Sequence, residues 1–265
     1  MALISAYIIS KNHEWSIRRA IRSALAIVSE VVVIDYGSTD STIALARQLN
    51  AEVISSDYIS KFEQKGIAEK ICKSNWLLFL NGNEEITSAL QCEIGYIFQG
   101  DLQDLYKAYS MKVVVMGRTD FEKRNLAYSR TSIRLYNKIF SDPYYKNENI
   151  EADDIALYDV YSAKNDVYEL DHDILSRPGI TLDYLVDHAN FSSSITASSA
   201  KWKHKHPPSV IKILMHTLFT WFNVYFLRRY FIFGFSGFVD SCIFAFGKFL
   251  HIVKIRENLI RQKKR

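Results

Sequence analysis

The first hundred residues alternate between short apolar runs and segments with helical periodicity. The apolar runs are continuous, which is typical of strands buried on both faces of a sheet. Strands are predicted at residues 3–9, 30–35, 51–55 and 75–80. Helices are predicted at residues 15–28, 42–49, 62–73 and 86–98. This order predicts an α/β fold with a mostly parallel sheet flanked by helices.

The pattern changes beyond residue 105. Residues 107–116 and 132–138 are predicted strands. Residues 141–173 are acidic, rich in tyrosine and without clear periodicity, so we expect at most two short strands there. The pair Pro207-Pro208 marks a boundary. We therefore predict a body of residues 1–206 and a C-terminal helical segment of residues 207–265.

Charge is divided unevenly along the chain. Residues 201–265 contain 13 lysines and arginines against 2 acidic residues, whereas the rest contains 20 against 27. A basic segment on an acidic body indicates contact with something anionic. Nucleic acid and an acidic lipid surface are the two candidates.

The C-terminal segment interleaves its basic residues with large apolar and aromatic blocks. Its apolar stretches, 213–227 and 230–246, are shorter than the roughly 20 residues of a spanning helix. This pattern favours helices that bind an anionic membrane surface through residues 209–265. Nucleic acid is not expected as a partner, because such a surface keeps its lysines and arginines on a solvated face. The alternative is that these helices pack together in a homo-oligomer.

The N-terminus predicts where the chain resides. It has neither basic residues ahead of its short apolar run nor a small-residue cleavage pattern after it, as a signal peptide would. We expect a cytoplasmic protein, peripheral at the inner face of the cytoplasmic membrane.

The stretch VVVIDYGSTDSTIALA is the most specific motif. Asp35 ends a predicted strand, Gly37 permits a tight turn, and Ser38, Thr39 and Asp40 offer side-chain oxygens at a helix start. A well-capped turn without a ligand is the simpler interpretation. A Rossmann dinucleotide site is disfavoured, because the first strand runs into SKNHEW rather than G-x-G-x-x-G.

A second polar cluster, NGNEE at residues 81–85, follows the strand at 75–80. Ligands of open α/β sheets bind beyond the carboxyl ends of the strands. With aspartates at positions 81 and 83, this cluster would look like a metal–diphosphate site. Asn81 and Asn83 offer carbonyl oxygens to a cation but no negative charge.

Residues 3–98 resemble, in order and spacing, the N-terminal half of family 2 glycosyltransferases. The closest similarity is to the bacterial branch that builds lipopolysaccharide core and related cell-surface sugars. The matching stretches are YIISKNHEWSIRRAIRSAL, EVVVIDYGSTDSTIALARQLNAEVI and FEQKGIAEKICKSNWLLFLNGNEEI. The resemblance implies a GT-A fold, a nucleotide-sugar donor and inverting transfer to a glycan or glycolipid hydroxyl. The C-terminal helices resemble that branch's membrane-associated tail.

The resemblance also implies roles for individual residues. The donor would be bound by Ser10, Asn12, Asp35, Gly37, Ser38, Asp40, Gln64 and Lys65. The family's D-x-D metal motif falls on Asn81 and Asn83, followed by Glu84, so a Mn²⁺ or Mg²⁺ site is expected in a weakened form. Lys65 is a candidate to supply the missing positive charge at the diphosphate.

The general base is expected in the later half of the chain. The family carries a His-Glu pair there, whose carboxylate removes the acceptor proton. The counterpart here is Ile150-Glu151, which makes Glu151 the candidate base, with Asp153 or Asp154 as alternatives. An acidic surface loop is the simpler interpretation. Two classes of function remain: an active glycosyltransferase, and a glycosyltransferase-like protein that binds without catalysing transfer.

Overall fold

The computed structural model describes residues 4–56, 61–100, 106–118, 120, 122–140, 166–179, 181–199 and 207–263. The chain forms two compact units. Unit 1 comprises Met1–Val115 and Ser129–Arg177, and unit 2 comprises Met116–Tyr128 and Pro178–Arg265.

Unit 1 is built on one eight-stranded sheet. Its strands are β1 (Ile4–Ser10), β2 (Glu30–Asp35), β3 (Glu52–Ser55), β4 (Trp76–Asn81), β5 (Glu84–Ile86), β6 (Ala108–Val115), β7 (Ser129–Asn137) and β8 (Val167–Ser176). Its helices are α1 (Ile17–Leu25), α2 (Thr42–Gln48), α3 (Lys61–Ile71) and α4 (Ser88–Ile97). The predicted α/β class is confirmed.

The sheet has the strand order β3-β2-β1-β4-β7-β6-β8-β5. The strands β1 to β4 pair in parallel, as do β6 and β8, whereas β7 and β5 run antiparallel to their neighbours. Ser10 pairs with Asp35, and Ile9 pairs with Asn81. The carboxyl ends of β1, β2 and β4 therefore lie side by side.

Apolar side chains cover both faces of this sheet. On one face, α1 buries residues at the i, i+3, i+4 and i+7 positions of a helix: Ile17, Ala20, Ile21 and Ala24. Leu25, the last residue of α1, lies outside this face and is 43% exposed. On the other face, Ala68 of α3 and Cys72, the residue after this helix, pack against the sheet.

Two strands differ from the prediction. Strand β5 was not predicted, because its three residues are too few for a periodic signal. Strand β8 has ten residues, where the sequence predicted at most two short strands between 141 and 173. Apolar and polar residues alternate only weakly along β8, because most of its side chains are at least partly exposed. Only Leu170, Asp173 and Ile174 of this strand are buried.

Unit 2 is helical. Its long helices are α5 (Leu182–Ser199), α6 (Val210–Phe222) and α7 (Gly234–Lys263). Helix α6 continues as a π-helical turn, Asn223–Leu227, and a 3₁₀ turn, Tyr230–Phe233, precedes α7. The predicted C-terminal segment shares this unit with α5, which was not predicted, and with residues 116–128. Within the unit, Arg118 forms an ion pair with Asp240 of α7.

Candidate active site

The turn after β2 is folded around the Asp35 carboxylate. Asp35 is fully buried, and its Oδ1 accepts hydrogen bonds from the backbone nitrogens of Gly37 at 3.1 Å and Ser38 at 2.9 Å. Its Oδ2 accepts from the Ser38 hydroxyl. Gly37 has a φ of 95°, a conformation that glycine adopts without steric strain. Both oxygens of Asp35 therefore hold the shape of its own turn.

The loop after β1 is bonded to this turn. Asn12 accepts from the backbone nitrogen of Thr39 through Oδ1 at 2.8 Å, and its own backbone nitrogen donates to the Ser38 hydroxyl at 2.8 Å. The backbone nitrogen of His13 donates to Oγ1 of Thr42, also at 2.8 Å. The two loops form one hydrogen-bonded rim, so the surface they present is preorganised.

Asp40 joins the same rim. Its Oδ1 accepts from the backbone nitrogen of Thr42 at 2.9 Å and so satisfies the first N–H group of α2. Its Oδ2 accepts from the backbone nitrogen of Glu14 at 3.1 Å. The structure thus brings six of the eight residues predicted at the donor into one place: Ser10, Asn12, Asp35, Gly37, Ser38 and Asp40.

The NGN turn after β4 packs directly against the loop after β1. The backbone nitrogen of Gly82 donates to the carbonyl of Ile9 at 2.9 Å, and the Ser16 hydroxyl donates to the carbonyl of Gly82 at 2.7 Å. A Cβ at Gly82 would lie 2.7 Å from both Ser10 Oγ and His13 Nδ1. Only glycine fits here, and this close approach joins the ends of β1, β2 and β4 into one site.

The carboxylate of Glu84 is buried against this turn. Asn81 donates to it twice, from its backbone nitrogen to Oε2 and from Nδ2 to Oε1, both at 2.9 Å. Arg134 donates from Nη2 to Oε1 at 2.9 Å. Burial by itself raises the pKa of Glu84, but the charge of Arg134 and the bonds from Asn81 outweigh it, so the pKa lies below its usual value. Glu84 stays ionised and holds the turn in place.

Arg134 is positioned by a bulge in β7. The register between β6 and β7 shifts between Tyr109 and Ser110, and Arg134 is the residue left out of the pairing. Its guanidinium lies 4.7 Å from the centroid of the Phe79 ring. The bulge thus turns the Arg134 side chain toward Glu84.

Two further arginines lie beside the NGNEE cluster. Nη2 of Arg130 is 4.0 Å from Oε1 of Glu84, and Nη2 of Arg177 donates to Oε1 of Glu85 at 2.8 Å. The Asn83 side chain donates from Nδ2 to the carbonyl of Arg177 at 2.8 Å. No role was predicted for Arg130, Arg134 or Arg177, although Arg130 and Arg134, two charged residues inside the strand SRTSIRLYN, were a usable signal.

The chemistry of the predicted metal ligands does not fit a divalent cation. Hard cations prefer anionic oxygens. Asn81 and Asn83 carry no charge, their amide nitrogens donate to Glu84 and to the carbonyl of Arg177, and the oxygens of Glu84 already accept three hydrogen bonds. Among the described residues, no group of three or more His, Cys, Asp or Glu could hold a metal ion. In this arrangement, these three residues stabilise a turn.

The two predicted donor residues of α3 have different environments. Gln64 is fully buried, and its amide oxygen and nitrogen have no hydrogen-bond partner within the part of the chain that the structure describes. Buried polar atoms without partners are rare in folded proteins. The side-chain amide of Gln64 can therefore donate a hydrogen bond to a bound molecule or water through Nε2, and accept one through Oε1.

Lys65 is not placed at the NGN turn. Its Nζ is 3.3 Å from Oε1 of Glu69 and 4.6 Å from the centroid of the Tyr136 ring. Tyr136 pairs with Leu77 of β4, four residues before the end of the strand at residue 81, which is a separation of ~13 Å along the strand. Burial lowers the pKa of Lys65, and the charge of Glu69 opposes that effect. Lys65 is thus not the cation nearest the turn.

The candidate bases Glu151, Asp153 and Asp154 lie outside the described residues. Their catalytic role stays a prediction from the sequence.

Comparison with other proteins identifies the family. A protein of Rickettsia felis named uncharacterized glycosyltransferase is 39% identical over 263 residues, which cover 99% of this chain and 93% of that protein. A protein of Rickettsia bellii with the same name is 39% identical over 254 residues, or 96% of this chain and 86% of that protein. The chain belongs to this glycosyltransferase family. No protein-family model matches the chain.

Similar solved structures share little sequence with this glycosyltransferase. Residues 1–349 of S. aureus TarS are 13% identical, with a TM-score of 0.46 over 98% of this chain and 92% of that one. Glucosyl-3-phosphoglycerate synthase from Mycobacterium tuberculosis, in complex with Mn²⁺, uridine diphosphate and glucosyl-3-phosphoglycerate, is 15% identical. Its TM-score is 0.45, over 74% of this chain and 78% of that one.

The fold of this glycosyltransferase agrees with the GT-A fold that the family resemblance implies. Its four parallel strands β3-β2-β1-β4 continue into the antiparallel strand β7, helices lie on the sheet, and a helical C-terminal extension follows.

Proposed function

We propose that this protein transfers a sugar from a nucleoside-diphosphate donor to a hydroxyl of a cell-envelope glycan or lipid-linked acceptor, such as lipopolysaccharide core. The transfer inverts the configuration of the sugar carbon. The observation that carries this proposal is the contact of Gly82 with Ser10 and His13, which sets the NGN turn against the rim formed by the loops after β1 and β2. Such an edge is where open α/β sheets bind nucleotides.

In this proposal the rim binds the nucleoside and the NGN turn meets the diphosphate. Lys11 and Tyr36 border the rim, with Lys11 Nζ 5.7 Å from the centroid of the Tyr36 ring. Burial lowers the pKa of Lys11, whereas the charge of Asp35 opposes that change. An aromatic face and a cation at one edge suit a nucleobase and a phosphate, and the buried amide of Gln64 offers further hydrogen bonds.

The proposed chemistry is a single displacement. The bond between the sugar's anomeric carbon and the diphosphate oxygen breaks, and its electron pair stays on the diphosphate. The acceptor oxygen forms a new bond to that carbon, and its proton passes to a carboxylate, for which Glu151 is the candidate and Asp153 the alternative. Positive charge near the diphosphate stabilises the departing group.

The donor site is tested by calorimetry with a panel of uridine, guanosine and cytidine diphospho-sugars. We expect one donor to bind, and Asp35→Ala to weaken its binding at least about tenfold, or ~1.4 kcal/mol, because the turn loses the acceptor of three hydrogen bonds. Asp171→Ala is the matched control, since Asp171 is an exposed residue of β8. Equal affinities for the two variants would remove Asp35 from the site.

The second candidate function is binding without transfer. The amides at positions 81 and 83 favour it, because they remove two anionic metal ligands from the motif that the resemblance implies. Both functions predict donor binding. They differ in whether the donor is consumed.

We also propose that the protein binds the inner face of the cytoplasmic membrane through its C-terminal helices. The segments Val210–Leu227 and Tyr230–Arg261 are longer than the apolar stretches expected from the sequence, and by length and composition alone they are sufficient to cross a membrane, with mean hydropathies of 1.4 and 1.5. One face of α6 exposes the large apolar residues Ile211, Leu214, Met215, Leu218, Phe219 and Phe222. An exposed apolar stripe on a basic segment suits an anionic lipid surface, and the alternative is a homo-oligomeric interface.

A further inference from the structure

We infer that Arg130 binds the donor diphosphate directly and that this site holds its donor without a divalent cation. The inference rests on the proposed function, because it names the group that meets the phosphates of the proposed donor. It follows from a difference in charge: the metal motif that the resemblance implies has two aspartates, whereas this chain has Asn81 and Asn83 at those positions.

The first argument is charge. Around the NGN turn, the side chains of Arg130 and Arg134 both lie within 4.0 Å of the carboxylate of Glu84, so two cations already face this carboxylate. Two asparagines in place of two aspartates raise the formal charge of a site by two, the charge of one divalent cation. The turn therefore already has the charge that a metal would give to an aspartate-containing site. A further cation would be repelled by the arginines.

The second argument is the position of Arg130. Arg134 is fully buried, whereas the side chain of Arg130 is 39% exposed, with its Nη2 still 4.0 Å from Oε1 of Glu84. Its guanidinium thus lies between the buried ion pair and solvent. A guanidinium presents a planar fork of donors that matches two phosphate oxygens, so an exposed arginine at this place is suited to a diphosphate.

The other nearby cations are less suited to the same role. Both Nε and Nη2 of Arg177 donate to Glu85, at 2.9 and 2.8 Å. Arg134 is enclosed with Glu84, and Lys65 lies against Glu69 and Tyr136. Arg130 combines partial exposure with proximity to the turn.

The third argument is the match between Asn81 and Glu84. Asn81 donates from Nδ2 to Oε1 of Glu84 at 2.9 Å. An aspartate in this geometry would place two carboxylates in contact, and like charges at such a distance destabilise each other. The amide is therefore complementary to the buried Glu84–Arg134 pair, and the turn is stable as it stands.

The inference is tested by titrating the full-length protein with uridine, guanosine and cytidine diphosphates, in Mn²⁺ and in EDTA. We expect the preferred nucleotide to bind with affinities within about threefold in the two conditions. Arg130→Ala is expected to weaken binding at least about tenfold, and Arg130→Lys to restore part of the loss. Binding of the corresponding nucleoside, which lacks phosphate, is expected to be equal in wild type and Arg130→Ala.

Lys112→Ala is the matched control. Lys112 pairs with Thr131, the residue after Arg130, so its side chain lies on the face of the sheet opposite to that of Arg130. The substitution removes one positive charge, as Arg130→Ala does. An affinity that falls about a hundredfold in EDTA, or equal affinities of Arg130→Ala and Lys112→Ala, would overturn the inference and leave the proposed function intact. No binding of any nucleotide or nucleotide sugar to the wild type would overturn both.

Discussion

Arg134 and Glu84 form a buried ion pair between residues fifty positions apart in the chain, with Nη2 2.9 Å from Oε1 and side-chain exposures of 0% and 1%. The pair connects β7 to the turn after β4. A buried charge is tolerated when it is paired and hydrogen-bonded, and removing one partner leaves the other uncompensated. The geometry of the site and the stability of unit 1 therefore depend on the same contact.

Glu84→Gln is expected to destabilise the protein by about 3–5 kcal/mol at pH 7, because it removes the buried carboxylate that pairs with the charge of Arg134. Denaturant unfolding followed by fluorescence measures the effect. Glu85→Gln is the control, because the Glu85–Arg177 pair is partly exposed at 19% and 14%, and its loss is expected to cost about 1 kcal/mol or less. Equal losses for the two variants would contradict the role assigned to Glu84.

The same pair predicts a pH dependence. The pKa of Glu84 is lowered in the folded protein, so its contribution is present above the unfolded-state pKa of about 4.3 and is lost as the pH falls through the folded value. The difference in unfolding free energy between wild type and Glu84→Gln is expected to be constant from about pH 7 to 5. It should then shrink by about 1.4 kcal/mol per pH unit below about pH 4. A difference that grows as the pH falls would show that the pKa of Glu84 is raised in the folded protein and not lowered.

Gly82→Ala is expected to weaken both stability and donor binding. The added Cβ would lie 2.7 Å from Ser10 Oγ and His13 Nδ1, so the turn or the loop after β1 must shift, at a cost of about 1–3 kcal/mol. Gly95→Ala is the matched control. It lies in α4 with no atom within 4 Å of the new Cβ, and it is expected to stabilise the helix by about 0.5–1 kcal/mol. Thermal unfolding and nucleotide titration of both variants measure the contrast. Tolerance of Ala at position 82 would contradict the close packing of the three loops.

The C-terminal unit is expected to bind vesicles that contain anionic lipid. Met215→Gln combined with Leu218→Gln removes apolar area from the exposed face of α6 and is expected to reduce sedimentation with the vesicles. His216→Gln, on the flank of the same helix, is the control and should bind as the wild type does. Raising the salt concentration should weaken binding of all three proteins. If wild type ignores anionic vesicles and forms a dimer that the double substitution dissociates, the homo-oligomer alternative is supported.

The parallel half of the fold was readable because each element carried a local signal. Residues 31–34 form a continuous apolar run, and β2 has the predicted bounds, Glu30–Asp35. The rim was readable for the same reason, since Asp35, Gly37 and Asp40 lie within one strand-to-helix turn, where each residue type has a specific use.

The remainder depends on contacts between distant residues. Nothing local in NGNEE shows that Glu84 will accept from Arg134, because the bulge in β7 that turns Arg134 toward Glu84 forms only when β6 and β7 pair. Lys65 was considered as a cation at the diphosphate, and its contacts lie elsewhere for a similar reason. Its ammonium pairs with Glu69, one helical turn away, and lies over the ring of Tyr136 in β7. Local sequence identifies a charged side chain, whereas tertiary packing decides which group it meets.

The most direct test of the proposed function is the release of nucleoside diphosphate from the preferred nucleotide sugar in the presence of a bacterial cell-envelope lipid and glycan fraction. A glycosyltransferase should release nucleoside diphosphate and deposit one labelled sugar in the acceptor fraction for each molecule released, and Asp35→Ala should slow both by at least about tenfold. If the donor binds but is never consumed, with any acceptor fraction and with or without Mn²⁺, the protein is a binding protein and the proposed transfer is contradicted.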